Sequence, residues 1–184
     1  MLRKSIVAAL LVASPAFAQT ADGPGPNLTI EVAGSAAGVV VIDMLPDLAP
    51  KHVAQITALA AKGAYDGVVF HRVIDGFMAQ TGDVQYGKSG GDTAMAGMGG
   101  SDMANIPAEF SAETFDRGVV GMARSNDPDS ANSQFFIMFA PGAFLDGQYT
   151  IVGRVISGME VVDAIAKGEP PAVPDMMAKV TVVQ

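Results

Sequence analysis

From Leu28 the chain alternates apolar and polar positions through LTIEVA, and VVVIDM follows after the short GSAAG spacer. That is the pattern of two strands joined as a hairpin. The period then changes. Across Ala49–Gly63, residues Val53, Ile56, Leu59 and Ala60 recur at helical spacing, with Pro50 near the start and Gly63 past the end. Two short strands are predicted around Val68–Ile74 and Phe77–Thr81, and further ones at Gly118–Ala123, Gln134–Ala140 and Tyr149–Ile156. Met159, Val162, Ile165 and Ala166 share one face of a second short helix over Gly158–Gly168, and Lys179–Val183 closes the chain as a strand. Between Val84 and Asn105 the chain is rich in Gly and Met and has little periodicity, so it reads as a long loop, a kind of segment that often carries function. Short strands, Gly-rich turns and two helices predict a mainly β fold, a closed antiparallel barrel with helices over its ends.

The amino terminus follows a different rule. Arg3 and Lys4 precede the apolar run Ile6–Ala13, and Ala16–Ala18 form a small-x-small site, which together read as a secretory signal cleaved after Ala18. The apolar run is too short to span a bilayer. Gln19–Asn27 is a Gly/Pro-rich leader expected to be flexible, and 28–184 form one domain, since no repeat, linker or composition shift divides them. The expected product is exported, periplasmic in a Gram-negative cell, free of the membrane after cleavage, and monomeric by default. Loss of Arg3 and Lys4 takes the net charge from −8 to −10. Basic residues form no stripe, which argues against nucleic acid. The chain has no cysteine, which excludes disulfides, thiolate metal sites and Cys nucleophiles.

Several chemistries fit poorly. His52 and His71 have no carboxylate at ligand spacing, and Met95, Met98 and Met103 read as loop residues packing on an apolar surface rather than soft metal ligands. No metal or other cofactor is expected. A GxSxG elbow is absent, and GMGG lacks the strand-turn-helix frame of a phosphate loop. Arg72 is harder to dismiss. In FHRVIDGFMAQTGD, Phe70–Asp83, strand alternation places it on the face of Phe70 and Ile74. An ion pair with Asp75 or Asp83 is one explanation. A second stretch, Gly121–Gly153, favours a site, because it supplies Phe135, Phe144, Leu145 and Tyr149 around turns such as Asp146–Gly147.

These stretches resemble the motifs of cyclophilin-type peptidyl-prolyl cis-trans isomerases of the bacterial secreted kind. FHRVIDGFMAQTGD is similar to the family's FHRxIxGFMxQGGD, IPAEFSAETFDRGVVGMAR to the entry into its MA-x strand, and SQFFI and FLDGQYTIVGRV to two further segments. The likeness runs from Leu28 to Val183. It implies a closed eight-stranded barrel capped by two helices, and X–Pro polypeptides as substrates. It implies Arg72 as the catalytic residue, with Gln80 orienting it. Phe77, Met78, Phe135 and Leu145 would hold the proline, His71, Phe144 and Tyr149 would form the rim, and Ala123 and Arg124 would bind the residues before proline. Phe144 stands where many members have the Trp associated with cyclosporin, so weak cyclosporin binding is expected. Tyr149 replaces a frequent His, Asp75 a common Pro, and Tyr86–Gly100 lacks the GTGxGG wording. A non-catalytic proline-binding or chaperone module would use the same pocket without needing Arg72.

Overall fold

The computed structural model describes residues 22–183, so the predicted signal segment lies outside the described residues. β1 (Asn27–Ala33) and β2 (Gly38–Met44) pair as the expected hairpin, with Leu28 opposite Ile42 and Ile30 opposite Val40. The remaining strands are β3 (Val68–Val69), β4 (Arg72–Ile74), β5 (Met78–Thr81), β6 (Val119–Met122), β7 (Phe135–Met138), β8 (Ile151–Ser157) and β9 (Met176–Val183). They form one curled nine-stranded sheet in the order β3-β9-β1-β2-β8-β6-β7-β5-β4.

This corrects the expected closed, eight-stranded barrel: the sheet is an open half-barrel. Its two edges, β3 and β4, are the halves of Val68–Ile74, which the pattern read as one strand. Phe70 and His71 break the ladder. Across the break the alternation slips by one, so that Phe70 and Val73 both enter the interior cluster while Ile74 packs on the outer one. Arg72 therefore does not share a face with Phe70. The backbone groups freed here find partners outside the ladder. Phe70 N–H donates to Asp175 O at 2.9 Å, and Val73 and Gly168 exchange two bonds at 2.8 and 2.9 Å. Thr81 Oγ1 donates to Val69 O at 2.9 Å. The segment leading into β9 thus runs along the gap.

α1 (Pro50–Ala61) turns Val53, Ile56, Leu59 and Ala60 to the core, as its spacing predicts. Ala49 offers no cap, and Glu109 supplies one from a distance, its carboxylate accepting from Lys51 N at 3.2 Å and His52 N at 3.1 Å. α2 (Met159–Ala164) ends four residues before the expected Gly168 because Ile165 is extended and Ala166 N–H donates to Asp175 Oδ2 at 2.8 Å. Among the described residues no helix is long and apolar enough to cross a membrane.

The wall β5-β7-β6 buries both faces. Phe135, Ile137, Val120 and Met122 point into the curl, where Tyr65 meets Phe135 edge-on at 5.7 Å and donates its hydroxyl to Ser133 O at 2.8 Å. Phe136, Met138, Met78 and Val119 point outward and join Phe115, Leu145 and Ile151 in a second cluster. Gly121 makes the outer stack possible. A Cβ there would stand 2.5 Å from Phe136 Cζ and 2.6 Å from Phe115 Cε1, whose rings pack at 5.8 Å.

Candidate active site

The outer cluster is only partly covered. A cleft of about 440 Å³ opens over it, with Met78, Phe136 and Leu145 as its buried base. Phe77 and Phe144 stand as one wall, their rings 5.4 Å apart, and Tyr149 forms another, edge-on to Phe136 at 6.0 Å. Phe144 sits in the 3-10 turn Ala143–Leu145, which buries Leu145 and leaves Phe144 65% exposed. An exposed aromatic beside a buried apolar base is the composition of a recognition pocket.

Polar groups enter from one side. β4 and β5 pair Arg72 with Gln80 directly, so both side chains project from the same face into the cleft. Arg72 Nε donates to Glu169 Oε2 at 2.8 Å. Gln80 Nε2 donates to Gln134 Oε1 at 2.9 Å, and Gln134 Nε2 donates in turn to Gly97 O and Gly99 O at 3.0 and 2.8 Å. Arg124 is tied down by donating to Ser125 O and Gln148 O, each at 2.9 Å, with its guanidinium 4.3 Å above the Tyr149 ring. Beyond Gln80, Ala123 and Arg124 a second cleft of about 350 Å³ continues between Ser125, Ser130 and Asn132 on one side and Gly97–Gly99 on the other.

The profile of the "Cyclophilin type peptidyl-prolyl cis-trans isomerase/CLD" family matches residues 28–183. The chain belongs to this family. A Brucella suis protein named probable peptidyl-prolyl cis-trans isomerase is 54% identical over 189 residues, covering 98% of this chain and 96% of its own. Peptidyl-prolyl cis-trans isomerase 10 of Caenorhabditis elegans is 39% identical over 129 residues, 70% of this chain and 76% of that one. Among solved structures, a cyclophilin from Hirschia baltica superposes with TM-score 0.73 at 30% identity, over 87% of this chain and 74% of its own. A Cryptosporidium parvum cyclophilin crystallised in the presence of the dipeptide Ala-Pro gives TM-score 0.73 at 25% identity, over 86% and 99%.

In this cyclophilin the structure brings together Arg72, Gln80, Phe77, Met78, Ala123, Arg124, Phe144, Leu145 and Tyr149 around one cleft. Two expected site residues lie elsewhere. Phe135 is an interior core residue, 1% exposed, and its neighbour Phe136 takes the place assigned to it, because adjacent strand residues face opposite sides. His71 is not a rim residue. It lies buried under the loop at Gly97, where a Cβ would stand 3.0 Å from its ring. Burial holds its imidazole below the usual histidine range against the opposing charge of Asp83.

The ion pairs also differ from those read in the sequence. Arg72 meets Glu169, not Asp75 or Asp83. Asp83 is fully buried and occupied, accepting from the backbone of Gln85 and Tyr86 on Oδ1 and of Gly97 and Gly99 on Oδ2 at 2.8–3.0 Å. It therefore shapes the long loop, in which Met103 packs on the interior while Met98 stays 75% exposed. His52 meets Glu109, 57 residues along the chain, at 2.7 Å through Nδ1. Among the described residues no group of three or more His, Cys, Asp or Glu is placed to hold a metal. Phe136, Gln134, Gln148 and Glu169 were missed. Phe136 was recoverable from strand parity, whereas Glu169, 97 residues from Arg72, had no local signal.

Proposed function

We propose that this cyclophilin turns X–Pro bonds by gripping the prolyl ring over Phe136, Met78 and Leu145 while Arg72 donates to the prolyl nitrogen. An X–Pro amide resists rotation because resonance gives its C–N bond partial double character, with a barrier of about 20 kcal/mol. At the twisted state resonance is lost and the nitrogen becomes pyramidal with a free lone pair. A donor that meets this lone pair interacts with the twisted amide far more than with the planar one, and only such a difference accelerates the step. No bond breaks, so the chemistry requires neither nucleophile nor cofactor.

The observation that carries this reading is the placing of Arg72. Its guanidinium borders a cleft with an apolar base while the one protein bond it makes among the described residues uses Nε. The two terminal nitrogens remain for the substrate. Arginine suits the task because it stays charged and presents several donors in one plane. Apolar walls exclude water and strengthen that bond. Gln80, whose Nε2 is held by Gln134, lines both clefts and meets the substrate backbone.

The substrates we propose are X–Pro polypeptides in the exported fraction, in keeping with the Ile6–Ala13 apolar run and the site after Ala18. Mass spectrometry of the chain recovered from its native cells would show Gln19 as the first residue; an intact Met1 would end this part of the reading.

The activity is tested with an Ala-Pro-Phe peptide followed by NMR exchange spectroscopy, with affinity measured on the same samples. Arg72→Ala should slow catalysed exchange by roughly two to three powers of ten, the scale of one preorganised donor, and change affinity much less. Affinity falling as far as rate would refute the transition-state role. Binding by the wild type without acceleration would make this a proline-recognising module.

A further inference from the structure

Arg72 is a long side chain, 44% exposed, and an unrestrained guanidinium samples many rotamers. Gln80, to which the family resemblance gives the orienting role, makes no hydrogen bond to Arg72 among the described residues; its Nε2 donates to Gln134. What touches Arg72 instead is Glu169.

Its position is built by the backbone. Gly168 exchanges two hydrogen bonds with Val73, the residue after Arg72, so Glu169 is delivered beside the guanidinium. Gly168 itself has φ +149°, and a Cβ there would stand 2.6 Å from Pro171 Cα, so the turn that presents Glu169 requires glycine. The other end of the segment is equally fixed. Asp175 is fully buried, accepts from Phe70 N through its backbone, and through its carboxylate from Ala36 N and Ala166 N. Glu169 does not line the cleft, so it holds Arg72 from outside without competing for the substrate's place.

We infer that Glu169 is the positioning residue of the site: its carboxylate, bonded to Nε, fixes the guanidinium plane so that the terminal nitrogens face the prolyl nitrogen. This rests on the isomerase reading of Arg72 above. The contribution is orientational. Both side chains are about half exposed, at 44% and 52%, so solvent and salt screen the charge attraction. An acceptor at the same place without the charge should therefore serve nearly as well.

The test uses the Ala-Pro-Phe exchange assay with Glu169→Ala and Glu169→Gln, together with NMR of the Arg72 Nε–H. Glu169→Ala should lower the catalysed rate at saturating peptide about three- to five-fold, the range of an exposed ion pair, with affinity unchanged within about two-fold. Glu169→Gln keeps an acceptor and should retain most of the rate. The Arg72 Nε–H should exchange with water faster in the Ala variant than in the wild type or the Gln variant. An unchanged rate in Glu169→Ala overturns the inference, as does an equal loss in both variants or a loss confined to affinity. A wild-type chain that binds without accelerating would overturn the isomerase reading instead. The Nε–H exchange would then still decide whether Glu169 holds Arg72.

Discussion

Phe135 and Phe136 are neighbours of the same type on one strand, both almost fully buried, yet they belong to different worlds. The interior cluster around Phe135 is sealed by the curl of the sheet and by Tyr65, whose one polar group is satisfied. The outer cluster around Phe136 is backed by Phe115 and Ile151 and covered by partly buried side chains such as Phe77 and Tyr149, with a cleft left over it. Apolar surface thus serves two purposes here. Enclosed by its own chain it stabilises the fold; enclosed on all sides but one, it keeps part of its burial for a ligand.

The sharpest way to break this comparison is to truncate each ring. Phe135→Ala should cost about 3–5 kcal/mol of stability, the scale of a large cavity in a core, while the molecules that remain folded keep their isomerase rate within about two-fold. Phe136→Ala should do the reverse in proportion: a smaller loss in urea unfolding, and roughly ten-fold weaker binding of Ala-Pro-Phe, as expected when a central apolar contact of about 1.4 kcal/mol or more is removed. If the two variants lose stability and binding in the same ratio, the division between core and pocket has no energetic meaning.

A smaller effect sharpens the boundary between the regions. His71 lies at the break in the sheet, buried beneath the Gly97 loop, and burial lowers its folded pKa from 6.5. The unfolded chain therefore takes up this proton first as pH falls through 6.5, so stability is full above that value and declines below it. The urea midpoint of the wild type should fall between pH 7.5 and 5.5, and His71→Phe should fall less. Parallel curves would mean that His71 protonates without opening the loop that covers it.

Much of this was legible in the sequence because each signal was local. Alternation found the hairpin, and spacing found α1 with its buried face. What was not legible came from two physical causes. FFIM is apolar at every position because both faces of β7 are buried, so no alternation reveals which Phe looks outward. The ladder break at Phe70–His71, the cap from Glu109 and the grip of Glu169 depend on groups brought from far along the chain. The break mattered most for the site. It shifted Arg72 away from the face of Phe70, and it left the space in which Gly168 and Glu169 run.

The sheet order carries a consequence for how the molecule comes into being. β9, the last of the described strands in chain order, lies between β3 and β1 rather than at an edge. A nascent chain that ends before Asp175 can form the β1-β2 hairpin and link it through β8 to the β5-β7-β6 wall, but it has no strand between β1 and β3. It also lacks the hold that Asp175 exerts on Phe70, Ala36 and Ala166. The apolar base of the cleft and the arginine beside it are synthesised before β9. Their final arrangement waits for β9, so an isomerase of proline bonds takes its own working shape only after a segment made later than its site has been added.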